Sequence, residues 1–119
     1  MKFLERLSHS TVFFDGAMGT QLIALGLVPG ESSESWNISH PEAVQKVHEA
    51  YIQAGCQVLT TNTFGAHPLK WGGEKAAELI RAALVIARKA TGNAYVALDM
   101  GPTGRLLKPF GDLSFRDAY

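Results

Sequence analysis

A chain of 119 residues, 46% hydrophobic and 18% charged, has the balance of one globular domain with its own core rather than that of a disordered or fibrous polymer. Eleven Lys and Arg offset eleven Asp and Glu, which leaves no basic surface for nucleic acid or an anionic membrane. No stretch approaches the ~18 uninterrupted apolar residues of a membrane span, and with Cys56 as the one cysteine no internal disulfide can form, so a cytoplasmic setting is expected.

Residues 11–14 (TVFF) are apolar throughout and predict a short strand buried on both faces. A short helix is expected from about Met18 or Gly19 to Gly26, followed by residues 27–39 (LVPGESSESWNIS), which read as an excursion over the surface. The series Ser39-His40-Pro41-Glu42 has the form of a capping box with proline in the first turn. The helix it opens carries Ala43, Val47, Ala50, Tyr51 and Ala54 at helical spacing and stops at Gly55. Residues 58–61 (VLTT) predict a second strand. A long amphipathic helix then places Ala76, Leu79, Ile80, Ala83, Leu84, Ile86 and Ala87 on one stripe, with Lys75, Glu78, Arg81 and Arg88 opposite, and Gly92-Asn93 end it. Residues 95–98 (YVAL) predict a third strand. Strands alternating with helices of this length imply parallel βαβ crossovers and an α/β fold.

Each expected strand runs into a distinctive loop: DGAMGT, NTFGAH and DMGPTG. In parallel α/β folds ligands bind at that carboxyl edge, where loops vary freely and helix N-termini offer unpaired N–H groups. Gly16 and Gly19 allow a tight turn, the N–H groups near Ala17 could hold a carboxylate, and Asp15 could pair with an ammonium, a combination suited to an amino acid zwitterion. The competing reading makes Asp15 a helix cap. A phosphate loop is disfavoured, because GAMGT is not GxGxxG and Gln21 stands where a P-loop needs lysine. Asn62 and Thr63 beside Phe64 could line a small-ligand pocket or form an ordinary turn. Asp99 could converge with Asp15 on one pocket or serve a turn. Cys56 follows Gly55 at the start of its strand, at the end of the sheet away from these loops, where buried packing is expected. The four histidines form no metal-binding pattern.

FFDGAMGTQLIALGL, ESWNISHPEAVQKVHEAYIQAGCQVLTTNTFGAH and DMGPTG together resemble the N-terminal part of the homocysteine S-methyltransferase domain, found in cobalamin-dependent methionine synthase and in betaine–homocysteine methyltransferase. The resemblance implies the first three βα units of a (β/α)8 TIM barrel, with homocysteine at the carboxyl ends of the strands. It also implies a zinc ion that holds the substrate sulfur as a thiolate, ready to attack a methyl group. By that likeness Asp15 helps bind the homocysteine amino group, Gly16 and Ala17 lie against the substrate, Thr61, Asn62 and Thr63 line its pocket, and Asp99 sits nearby.

Two departures shape the expectation. The cysteine ligands that such domains use for zinc come from later strands and have no counterpart here, where Cys56 cannot stand in for them. A complete barrel also takes about 250 residues. Residues 1–119 are therefore expected to form the N-terminal part of a homocysteine-binding domain, with the remaining strands and a methyl-donor domain or corrinoid supplied elsewhere. A truncated or split barrel that binds an amino acid, or assembles with a partner chain, without catalysing is the alternative. A flavodoxin-like nucleotide-binding domain rests on strand order alone.

Overall fold

A computed structural model describes residues 1–119. Helices α1 (Phe3–His9) and α2 (Gly19–Ala24) come first, then a 3-10 turn (Ser33–Ser35), α3 (Trp36–Ser39) and α4 (Pro41–Gln53). Strand β1 (Val58–Thr60) leads through α5 (Pro68–Trp71) and α6 (Gly73–Thr91) to β2 (Tyr95–Ala97), and α7 (Phe115–Ala118) closes the chain. The two strands are parallel, with Val58, Leu59 and Thr60 opposite Tyr95, Val96 and Ala97. The fold is thus α/β with parallel strands, as the sequence implies. No helix is long and apolar enough to cross a membrane.

The expected strand at residues 11–14 is reduced to one bridge, Phe14 to Val58, also parallel. Its hydrogen bonds explain the shortening. Val58 N–H donates to Phe13 O and Asp15 N–H to Val58 O, so a ladder begins; the next bond should run from Thr60 N–H to the Asp15 backbone carbonyl. That donor goes instead to the Asp15 side chain, Oδ2, at 2.9 Å. At the other end Phe13 N–H is taken by the Gln57 side chain at 3.0 Å. Side chains thus replace the backbone at both ends, and β1 becomes the central element of the order residues 11–14, β1, β2.

Helix α6 buries Ala76, Leu79, Ala83, Ile86 and Ala87, with Ile80 and Leu84 half-buried and Lys75, Glu78, Arg81 and Arg88 exposed, as its stripe predicts. Gly92 ends it at φ +54° and Gly55 follows α4 at φ +100°, backbone shapes that favour glycine. The buried face of α4 overlaps the expected one only in part: Val47 is buried and Ala43 and Tyr51 pack against the core, as expected. Val44, Val47 and His48 are buried, while Ala50 and Ala54 are exposed. Nor does the capping box form: Ser39 closes α3, its hydroxyl donating to Ser35 O at 3.2 Å, and His40 precedes α4 without a side-chain cap bond.

Residues 27–39 correct the surface-excursion reading. Leu27 and Trp36 join Leu22, Val44, Val47 and Ile86 in one apolar core cluster, and the Trp36 indole N–H is satisfied by Glu31 Oε1 at 3.1 Å. An aromatic residue in a polar segment is drawn inward because its burial outweighs the cost of ordering the loop once its N–H has a partner. Helix α1, which the sequence reading did not anticipate, sets Phe3 edge-on to Phe14 and Tyr95, with ring centroids 6.4 and 5.4 Å away.

Candidate functional site

The three loops lie together at the carboxyl ends of the strands, and β1 links them. Asp15 ends the first segment with both carboxylate oxygens engaged by one residue: Oδ2 accepts from Thr60 N–H at 2.9 Å and Oδ1 from Thr60 Oγ1–H at 2.8 Å. No Lys, Arg or His forms an ion pair with it; the two salt bridges of the chain are Lys75–Glu78 and Arg105–Asp112. Asp15 does not cap α2, whose N-terminus has no side-chain cap bond, so the helix-cap alternative is set aside. A carboxylate aimed by two donors and lacking a cation is a preorganised acceptor for one.

Gly16 and Ala17 follow it, both exposed. The Tyr51 hydroxyl of α4 donates to Ala17 O at 2.7 Å, and a Cβ at Gly16 would come within 3.0 Å of that hydroxyl oxygen. Burial first, then the nearby Asp15 and Cys56, raise the Tyr51 phenol above its usual 10.0, so it stays a donor at neutral pH.

Beyond β1, Thr61 and Thr63 are buried and knit the strand ends together. Their hydroxyl oxygens are 2.7 Å apart, Thr63 Oγ1–H donates to Asp99 O at 2.6 Å, and Asp99 N–H donates to Thr61 Oγ1 at 3.2 Å. The structure thus brings Thr61, Thr63 and Asp99 together, and through Thr60 it joins them to Asp15. Asp15 and Asp99 do not converge directly, because β1 stands between them and the register sets Asp15 level with Val96, three residues before Asp99. The Asp99 carboxylate makes no hydrogen bond or ion pair within the chain; the residue lines a groove of about 730 Å³ with Thr63, Phe64, His67, Leu98 and Met100.

Asn62 faces the other way. Its amide donates to Ser33 O at 2.8 Å and to Asn37 Oδ1 at 3.0 Å, while Asn37 Nδ2–H donates back to Asn62 O at 2.8 Å and to Leu79 O at 3.3 Å. Glu34, only 6% exposed, accepts from Gly65 N–H at 2.6 Å and from the Ser32 hydroxyl at 2.5 Å, and Trp71 Nε1–H donates to Gly65 O at 2.9 Å. The NTFG loop is therefore clamped from residues 32–37 on one side and α5 on the other. His67 caps α5, its Nδ1 accepting from Leu69 N–H at 3.1 Å.

His48 is fully buried and neither ring nitrogen has a partner. Desolvation holds its imidazole below the usual 6.5, with the Asp15 charge offsetting part of the effect. Cys56 lies at the opposite end of the sheet, as expected, but it is half-buried rather than enclosed, its thiol directed at Phe14 O at 3.4 Å. No three His, Cys, Asp or Glu side chains cluster as metal ligands, so the residues present do not form the zinc centre that the resemblance implies.

Thr60, Tyr51, Glu34 and Asn37 are the residues that sequence reasoning missed. Two polar groups on one helix face, His48 and Tyr51, were the available signal for the α4 contribution. Nothing in the periodicity of residues 27–39 marks Glu34 or Asn37 for burial.

The parallel α/β fold thus gathers its polar loops at the carboxyl edge of the strands, led by an acid that no Lys, Arg or His pairs with. Residues 12–119 match the model of the family described as homocysteine S-methyltransferase, and the chain belongs to that family. It is 32% identical to the methionine synthases of Mycobacterium leprae and Mycobacterium tuberculosis, over 98% of this chain and 11% of each relative. The chain thus spans about a tenth of the length of these relatives. Among solved structures it is similar to the crystal structure of the homocysteine methyltransferase MmuM from Escherichia coli in its metallated form, with a TM-score of 0.73 and 29% identity over 84% of this chain and 41% of that one. The oxidized form gives a TM-score of 0.73 and 28% identity over 82% and 40%.

Proposed function

We propose that this chain supplies the homocysteine-binding loops of an enzyme that transfers a methyl group to the homocysteine sulfur, giving methionine. The observation that carries this reading is the Asp15 carboxylate, fixed at the strand end by both donors of Thr60 and unpaired with any cation. In this reading Asp15 receives the substrate ammonium, and Gly16 and Ala17 form the exposed backbone beside it. Thr61 and Thr63 hold the strand ends in register, Asn62 fixes the loop that carries Phe64, and Asp99 adds a second carboxylate across β1. An ammonium held on the fixed Asp15 carboxylate orients the amino acid so that its sulfur points away from the charged end, toward an incoming methyl group.

The chain forms the first βα units of a (β/α)8 barrel in this proposal, and residues 1–119 are the N-terminal part of the homocysteine-binding domain. Zinc, and a corrinoid or small methyl donor, belong to parts of the protein other than these residues; no three ligating side chains cluster here. The test is to incubate the full-length protein with L-homocysteine and either methylcobalamin or a small methylated onium donor, and to measure methionine. Formation with one donor, abolished by prior treatment with a zinc chelator, is expected. No methionine with any donor, together with no calorimetric binding of homocysteine, would refute the proposal.

A further inference from the structure

Past the Asp15 carboxylate, which Thr60 holds, the loop that carries the exposed Gly16 and Ala17 is hydrogen-bonded to the rest of the chain at one point before Met18 O. The backbone groups of Gly16 and the Ala17 N–H make no hydrogen bond, and Ala17 O is held by the Tyr51 hydroxyl alone, at 2.7 Å. Tyr51 comes one turn after the buried His48 and rests half-buried against the core cluster, so its ring is placed by packing rather than by the loop. A trans peptide sends its C=O and N–H in opposite directions. Fixing Ala17 O toward α4 therefore turns Met18 N–H, which has no partner in the chain, away from that helix. The fit is close: a Cβ at Gly16 would lie 3.0 Å from Tyr51 Oη but 3.4 and 3.5 Å from the nearest ring carbons. The hydroxyl, not the ring, is the tight contact for a side chain at 16.

We infer that Tyr51 is a positioning residue for the substrate, acting through the Gly16–Ala17 backbone to hold the Asp15 loop in its binding shape; the inference rests on the homocysteine reading above. The phenol touches neither the reacting atoms nor, in this geometry, the Asp15 carboxylate, whose two oxygens are occupied by Thr60. Its effect therefore falls on affinity and not on the chemical step. Losing the hydroxyl frees the loop to sample other shapes, and the fraction of molecules ready to bind falls.

The experiment is calorimetric titration of the full-length protein with L-homocysteine, on the wild type, Y51F, G16A and the double variant, alongside steady-state kinetics and thermal unfolding. Y51F should weaken homocysteine binding about three- to tenfold, the range of one hydrogen bond. KM should rise by the same factor, with kcat at saturating homocysteine changed less than about twofold. G16A should also weaken binding, because its new Cβ crowds the hydroxyl and shifts it against Ala17 O, but in the Y51F background the added Cβ meets ordinary contacts and should cost less than it does alone. The inference is overturned if Y51F binds homocysteine as the wild type does, if it lowers only the melting temperature, if kcat falls instead of KM rising, or if the two substitutions add independently. A wild type that does not bind homocysteine at all would overturn the homocysteine reading itself.

Discussion

Replacing Asp15 with asparagine separates what that residue does for the fold from what it does for a ligand. Its carboxylate accepts from Thr60 N–H at 2.9 Å and from Thr60 Oγ1–H at 2.8 Å. An asparagine can keep both links, its carbonyl oxygen accepting from the N–H and its NH2 donating to the hydroxyl oxygen, which has lone pairs to offer. Stability should then change by less than about 1 kcal/mol. The charge, however, is gone, and a hydrogen bond to a charged group contributes about 1.5–3 kcal/mol, so affinity for homocysteine should fall roughly 10- to 150-fold. Asp15→Ala makes the contrast: it strands the Thr60 N–H at the end of β1 and should cost about 1–3 kcal/mol of stability as well as the binding. Calorimetric titration with L-homocysteine and chemical unfolding on the same samples measure both effects. Unchanged affinity in D15N would refute the ammonium assignment, and a stability loss in D15N equal to that of D15A would refute the claim that asparagine preserves the Thr60 links.

Three further outcomes follow from the packing. Asn37→Ala removes bonds to Asn62 O, Leu79 O and Asn62 Nδ2 and should cost about 2–4 kcal/mol in denaturant unfolding; Asn37→Asp should cost more, since it sets a buried carboxylate against two carbonyls, and an equal loss would argue against that geometry. His48 has a folded pKa below its unfolded value of 6.5, so the unfolded chain binds the proton first: the stability it contributes is fully present above pH 6.5 and declines as pH falls below it. His48→Leu should therefore flatten the loss of stability between pH 7.5 and 5.5 without a large penalty at pH 7.5, because neither ring nitrogen has a partner to lose; an undiminished slope would assign that pH dependence to other groups. Gly101→Ala would drive a Cβ into the Phe64 carbonyl oxygen and should lower stability by about 1–3 kcal/mol, read as earlier protease cleavage in the 62–65 or 99–104 loops.

The elements that apolar periodicity dictates were legible. The stripe of α6 and its glycine stop stand as expected, and the second and third strands fall within one residue of their ends, Val58–Thr60 and Tyr95–Ala97. Hydrogen bonds made by side chains account for what was not legible. The first strand has the right composition, but Gln57 and Asp15 take the places of backbone groups and reduce its ladder to one bridge. On α4, alanine is apolar enough to sit on either face, so Ala50 and Ala54 could not mark the buried side; His48 does, with Val44, Val47 and Tyr51, and a rule that sends polar residues outward points away from it. Glu34 and Asn37 are buried because they satisfy Gly65 N–H and the Asn62 peptide, a complementarity invisible in either segment alone.

The same bookkeeping of donors and acceptors sorts the candidate site. Asn62, Thr61 and Thr63 carry the side chains that a motif reader would assign to a ligand, yet each is committed to another part of the chain: Asn62 to residues 33–37, and the threonines to each other and to the Asp99 backbone. Such internally satisfied groups contribute rigidity, and rigidity matters because a binding group held in place loses little freedom when its ligand arrives. The acids differ. Asp15 has two donors and no cation, and Asp99 has a carboxylate with no partner at all, so these are the charges that binding can still neutralise. Thr60, which ends β1, and Thr61, just beyond it, lie between them. One strand end thus holds the first acid by its side chain and the second by its backbone, and a shift of β1 would move both together.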